Sequence, residues 1–150
     1  MPTHHHGPPH EIAALDAYIK LMRATDSVTS RVNEALPHGL TVTQFGVLET
    51  LLHLGPLCQS QLATKLLKST GNLTLVIANL EKACLVHRAR QLDDLRFILI
   101  TLTPRGRRVI ADIFPKIAER IATEFSILSG SELSELGRLT KKLGLKSAAQ

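Results

Sequence analysis

The chain has 150 residues, 44% of them hydrophobic and 21% charged, and a formal net charge of +5. That length fits one domain with a sizeable core, and the positive excess favours polyanions in general: nucleic acid, an anionic membrane surface or an acidic partner. No apolar run approaches the ~20 residues of a membrane-spanning helix, which excludes a span.

The N-terminus has no hydrophobic signal region, and two cysteines, Cys58 and Cys84, fit a reducing compartment, so a cytoplasmic location without a structural disulfide is expected. Residues 1–10, rich in Pro, Gly and His, read as a flexible tail. His4, His5, His6 and His10 have metal-binding side chains, but a short histidine tract is more often a solvated tail or a cloning remnant, and no metal is expected. From Glu11 to about residue 36 the spacing predicts one long helix, with Ile12, Leu15, Ile19 and Met22 on one line and Tyr18, Leu21, Thr25, Val28 and Val32 on the next. About 25 residues at ~1.5 Å each run ~37 Å, longer than one small unit needs, so the surplus apolar face calls for a partner. Pro37, His38 and Gly39 end it; Thr41 and Gln44 then form a capping box for a helix carrying Phe45, Leu48, Leu51 and Leu52, closed by Gly55 and Pro56.

The stretch from Gln59 to Leu85 organises the chain. Gln61, Leu62, Ala63, Leu66 and Leu67 have the spacing of a short amphipathic helix, interrupted by the polar and small residues Lys68, Ser69, Thr70 and Gly71. Leu73, Val76, Ile77 and Leu80 then share one face of a second helix, with Ser69 placed as its cap. The opposite face holds Gly71, Thr74, Leu75, Ala78 and Asn79, flanked by Thr70 and Asn72, with no acidic residue before Glu81. Such a face suits close approach to base edges, and it equally suits an ordinary solvated helix; the segment C-terminal to the helix decides between the two. Residues 85–90 and 96–102 are aliphatic or β-branched runs around the polar Gln91, Asp93 and Asp94, which predicts a two-stranded hairpin.

Helix, turn, helix and hairpin make a winged helix, and here the chain resembles the MarR (multiple antibiotic resistance regulator) family of bacterial transcription factors. The likeness is carried by Leu40, Thr41, Gln44, Phe45, Val47 and Leu48, by Gln61, Leu62 and Ala63, and by Leu80, Glu81, Lys82, Leu85 and Val86. In the wing, Asp94, Leu95 and Arg96, then Leu102, Thr103, Pro104 and Gly106, match the family's signature. Through QFGVLETLLHLGPL and KLLKSTGNLTLVIANLEK the resemblance is closest to the branch that controls resistance to quinones and catechols. Two positions depart: Cys84 stands where the family usually ends its recognition helix with Gly, and Cys58 where Ser or Thr often caps the third helix.

After the wing, Thr103 and Pro104 start a helix that turns Val109, Ile110, Ile113, Phe114, Ile117, Ile121, Phe125 and Leu128 inward, with Pro115 expected to bend it. Ser129 and Glu132 cap a last helix with Leu133, Leu136, Leu139 and Leu143 in a near-heptad row. The expected fold is mainly α with a small β-hairpin wing: a single MarR-like domain over residues 11–150, its winged helix-turn-helix at about 40–106, and dimerisation helices at about 11–36 and 104–146.

The expected function is a homodimeric transcriptional regulator, by default a repressor, that binds double-stranded DNA at an inverted repeat. Lys65, Lys68, Arg88 and Arg90 are placed for phosphates, and Ser69, Thr70, Asn72, Thr74, Leu75 and Asn79 for the major groove. By resemblance, Arg96 enters the minor groove, held by Asp94. A phenolic or aromatic effector is expected among Tyr18, Met22, Phe45 and Phe114, side chains that read equally as core. The rival is a thiol sensor at Cys58 or Cys84; a reading of another class is a helical interaction adaptor that does not bind DNA. Catalysis lacks parts: His38, His53 and His87 have no metal-ligand spacing, no Gly-rich phosphate loop occurs, and no Ser sits in a nucleophile elbow, so neither enzyme nor cofactor is expected.

Overall fold

A computed structural model describes residues 4–94 and 96–145; Leu95 of the wing signature and the expected helix end at residue 146 lie outside them. The elements are α1 (Pro9–Asn33), α2 (Val42–Leu54), β1 (Leu57–Cys58), α3 (Gln59–Leu66), α4 (Thr70–Lys82), β2 (Val86–Arg90), β3 (Ile98–Leu102), α5 (Pro104–Phe125) and α6 (Gly130–Gly144). They divide into a central unit, Asn33–Ala118, and a terminal unit drawn from Met1–Val32 and Glu119–Gln150.

The central unit closes on its own core. Val47, Leu48 and Leu51 of α2, Leu62 and Ala63 of α3, Leu73, Ile77 and Leu80 of α4, Val86, Ile100 and Ile110 pack as one cluster, each at most 5% exposed. Thr41 caps α2 as expected: its hydroxyl accepts from the Gln44 amide at 3.1 Å while the Gln44 side chain accepts from the Thr41 amide at 3.0 Å. The expected two-stranded hairpin is a three-stranded antiparallel sheet, order β1-β3-β2, because Leu57 and Cys58 pair with Ile100 and Leu99. Two residues are too short to alternate, so only the distant β3 partner makes them a strand. The strands also begin later than read from the sequence, at Val86 and Ile98, since Leu85 completes the turn after α4 and, at the wing tip, the Phe97 amide bonds the Asp94 carbonyl at 3.1 Å.

Both helices of the helix-turn-helix end in the same left-handed turn. After α3 the Leu67 amide bonds the Thr64 carbonyl and the Lys68 amide the Ala63 carbonyl; after α4 Cys84 bonds Glu81 and Leu85 bonds Leu80. This is the Schellman pattern, which favours Gly at its left-handed residue. Here Leu67 (φ 54°) and Cys84 (φ 60°) fill those places, at a strain of about 1 kcal/mol each. Close approach explains one glycine: a Cβ on Gly106 would stand 1.9 Å from the Leu85 carbonyl oxygen. Thr103 ties the same junction, its hydroxyl donating to the Cys84 carbonyl at 2.6 Å and accepting from the Gly106 amide at 2.9 Å.

The terminal unit has a different character. α1 begins at Pro9, inside the expected tail, with the Glu11 amide bonded to the Pro8 carbonyl at 3.0 Å and the His5 ring 3.1 Å from the Glu11 carboxylate. Neither α1 nor α6 buries a single residue. Ser129 and Glu132 form the expected capping box of α6, and α5 continues unbroken through Pro115. Among the described residues no helix is long and apolar enough to cross a membrane.

Candidate nucleic-acid interface

α3 and α4 are held at their turn by the caps. Ser69 is the N-cap of α4, its hydroxyl accepting from the Asn72 amide at 3.2 Å, as the sequence predicted. Leu73, Ile77 and Leu80 anchor one face of α4 in the core, with Val76 half-buried beside them. The opposite face is open: Thr70, Gly71, Asn72, Thr74, Leu75 and Asn79 are exposed and Ala78 is half-buried. Leu75 is 69% exposed, an apolar side chain held out to solvent on a surface helix.

Not every predicted contact is free to serve. The Thr74 hydroxyl accepts from the Gln59 side-chain amide at 2.9 Å and donates to the Thr70 carbonyl at 3.3 Å. Gln59 also donates to that carbonyl at 2.8 Å, so the first residue of α3 straps the first turn of α4. Sequence reasoning missed Gln59, because no periodicity links it to residues eleven and fifteen positions on; the helix-turn-helix fold alone joins them. Arg88 is likewise engaged: the Glu81 carboxylate accepts from its backbone amide at 3.2 Å and lies 3.5 Å from Nε. Lys65, Lys68 and Arg90 are exposed, where phosphate contact needs no rearrangement of a buried group.

At the wing tip Arg96 and Asp94 form a fork. Arg96 Nε and Nη2 donate to the two Asp94 carboxylate oxygens at 3.0 and 2.9 Å, and the Arg96 amide adds a third bond of 3.0 Å. Those bonds hold the Asp94 carboxyl below the usual Asp range and push the guanidinium up. The Arg96 side chain is 88% exposed, so the pair costs little desolvation and serves to orient a solvated cation.

Between the start of α3 and the wing lies a groove of about 330 Å³ lined by Cys58, Gln59, Ser60, Arg88, Arg96 and Phe97, with Ile98 and Ile100. Cys58 is the N-cap of α3; the Gln61 side chain accepts from its amide at 3.0 Å, the half of a capping box that needs no oxygen at residue 58. The Ser60 hydroxyl, 3.1 Å from Sγ, lowers the Cys58 thiol pKa, and neighbouring backbone amides add to the effect against the opposing pull of burial. Cys84 is exposed in its left-handed turn.

The predicted effector residues separate by unit. Tyr18 and Met22 lie exposed on α1 of the terminal unit. In the central unit Phe45 and Phe114 are half-buried against the core, and Phe114 meets the His53 ring edge-on at 4.8 Å. None of the four lines either the wing groove or a second cavity, of about 540 Å³, inside the terminal unit. That cavity is lined by Leu21, Ala24 and Val28 of α1, Phe125 and Leu128, and Leu133 and Leu136 of α6, with the Arg31–Glu124 ion pair on its wall. Among the described residues no three His, Cys, Asp or Glu side chains gather as a metal site requires.

The geometry has relatives. The MarR family model matches residues 40–98. The transcriptional regulator MhqR of Bacillus subtilis (strain 168) is 33% identical over 135 residues, 89% of this chain and 93% of MhqR. The crystal structure of AbsC, a MarR family transcriptional regulator from Streptomyces coelicolor, superposes with a TM-score of 0.82 over 97% of this chain and 99% of AbsC; at 23% identity it speaks for the fold. Bordetella bronchiseptica BpsR, whose DNA binding is regulated by 6-hydroxynicotinic acid, is 26% identical with a TM-score of 0.78, over 86% of this chain and 98% of BpsR.

Proposed function

The chain belongs to the MarR family of DNA-binding transcriptional regulators, and on that premise we propose that it acts as a homodimeric repressor on an inverted-repeat operator. One observation carries the reading: an exposed α4 face free of acidic residues up to Glu81 stands in the same unit as a solvent-exposed wing arginine that Asp94 holds by two hydrogen bonds. A two-fold dimer sets two such units against successive major grooves, roughly 34 Å apart, and a dimer seated over a promoter blocks polymerase without further contacts. Arg96 then enters the flanking minor groove, which favours A·T-rich sequence because a narrow groove concentrates negative potential. Lys65, Lys68 and Arg90 supply phosphate contacts, and Arg88 joins them by exchanging Glu81 for the backbone.

Release falls to a small phenolic or aromatic effector. The regulation of BpsR by 6-hydroxynicotinic acid supports that class, as does the likeness to the quinone- and catechol-responsive branch. Tyr18, Met22, Phe45 and Phe114 are each candidates for its contacts, to be tested singly by the effector concentration that releases DNA. Cys58 supports a second reading, in which a thiol that Ser60 acidifies at the edge of the wing groove adds as its thiolate to an electrophilic quinone or is oxidised by an external oxidant. Cys58→Ser decides: a variant that still releases DNA with an electrophilic quinone leaves the non-covalent reading in place.

The test of the whole is a fluorescence-anisotropy titration with the DNA flanking the protein's own gene, against random DNA of equal length, over a salt series. Preference for the flanking DNA by ~10³ or more, with dimer stoichiometry, is the expected result. Equal and steeply salt-dependent binding to both marks phosphate attraction alone and moves the interaction-adaptor reading to first place.

A further inference from the structure

We infer that Gln59 makes Thr74 a reader of the thymine methyl group: by holding the hydroxyl, it leaves the Thr74 methyl, beside Leu75, as what α4 offers to DNA at that position. The inference rests on the operator-binding reading and specifies which base feature that reading uses.

The hydrogen-bond inventory at Thr74 is closed on its donor side. A threonine hydroxyl has one hydrogen, and here it points to the Thr70 carbonyl at 3.3 Å. One of its lone pairs accepts from Gln59 Nε2 at 2.9 Å. The orientation of the Gln59 amide is fixed by chemistry: its other bond, 2.8 Å, goes to the Thr70 carbonyl oxygen, which only accepts, so the nitrogen must face it. Both contacts then use that NH₂ group, and the three atoms make a closed triangle at the first turn of α4. Thr74 itself is exposed: its hydroxyl has no hydrogen left to donate and one lone pair left to accept, and its methyl is the apolar branch that the strap leaves unengaged.

The neighbours agree with an apolar reading. Leu75 projects into solvent at 69% exposure, next to half-buried Ala78, on a face with no formal charge. Of the groups that base edges present in the major groove, the C5-methyl of thymine is the apolar one. Two adjacent apolar groups on an uncharged helix face match it, where a free hydroxyl at residue 74 would choose among several acceptors. Gln59 is therefore a positioning residue for specificity and needs no contact with DNA.

The experiment selects a bound duplex from a randomised pool with the full-length protein, then replaces each thymine of that duplex singly by deoxyuridine, which removes the methyl and keeps every hydrogen-bonding group. The expected result is a symmetry-related pair of positions at which the replacement weakens binding about three- to four-fold each, the worth of one buried methyl. Thr74→Val, which keeps the methyl and drops the hydroxyl, retains that deoxyuridine profile; Thr74→Ser, which keeps the hydroxyl and drops the methyl, loses it. Gln59→Leu, which frees the hydroxyl, blunts the profile while still binding the duplex. Both Thr74 substitutions lie on an exposed face, and the deoxyuridine scan of the unmodified protein needs no variant at all. A selected duplex on which every thymine tolerates deoxyuridine within two-fold overturns the inference and leaves operator binding standing, as does a Thr74→Ser profile identical to that of the parent. A pool from which no duplex is enriched overturns the operator-binding reading and the inference with it.

Discussion

The two units of this chain solve the burial problem in opposite ways. In the central unit, helices of 8 to 13 residues, the start of α5 and three small strands converge on a cluster whose leucines and isoleucines are almost fully hidden. The terminal unit has the longest helix of the fold, 25 residues, and buries nothing on it; Leu133, Leu136, Leu139 and Leu143 of α6 remain between 37% and 64% exposed. A near-heptad row of leucines left in water at that level is the surface that the proposed homodimer would cover. The contrast teaches that apolar periodicity states which face of a helix is to be buried and leaves open whether the same chain supplies the cover.

The sharpest break of the comparison is to charge the open face. Leu136→Glu with Leu139→Glu is expected to weaken self-association roughly 100-fold or more, the scale of about 3–5 kcal/mol for an uncompensated buried charge, while the central unit stays folded. Sedimentation velocity with circular dichroism reads both; an unchanged dimer means the row is not the seam. Next comes a cavity in the closed core: Leu48→Ala should cost about 2–5 kcal/mol of unfolding free energy in urea titration. A loss below ~1 kcal/mol there would show that the central cluster refills the space and is not closed as tightly as its burial implies.

The wing gives an intermediate effect that separates binding from assembly. Arg96→Ala should lower operator affinity ~10-fold or more, as expected for one lost groove contact, and leave the dimer intact; unchanged affinity in a gel-shift titration would refute the role. The smallest effect is a gain. Cys84→Gly relieves a left-handed backbone strain and should raise stability by up to about 1 kcal/mol, less the entropy that glycine restores to the unfolded chain. If it destabilises, the Cys84 side chain makes up for the strain by contacts of its own.

Much of this was legible in the sequence because it is local. The capping boxes at Thr41 and Ser129, the Ser69 cap and the apolar stripe of Leu73, Ile77 and Leu80 come from residue spacing within one or two turns. The left-handed Cys84 was legible too, since the resemblance marks its position as one for Gly, and the backbone keeps that geometry despite the side chain. What the sequence by itself determined, then, is the order of elements, their caps and the faces they must bury, all products of backbone hydrogen bonding and apolar periodicity within a few residues.

Only the tertiary structure decided the rest. The strand at Leu57 and Cys58 exists because β3, some forty positions later, offers it partners. The Gln59 strap on Thr70 and Thr74 exists because the turn brings the start of α3 against the start of α4. The fork of Arg96 on Asp94 was named from resemblance, but its three bonds and its exposure are facts of the folded wing. In each case the contact joins groups that carry no shared period, and only a fixed chain geometry can choose among the many partners such polar and backbone groups would accept.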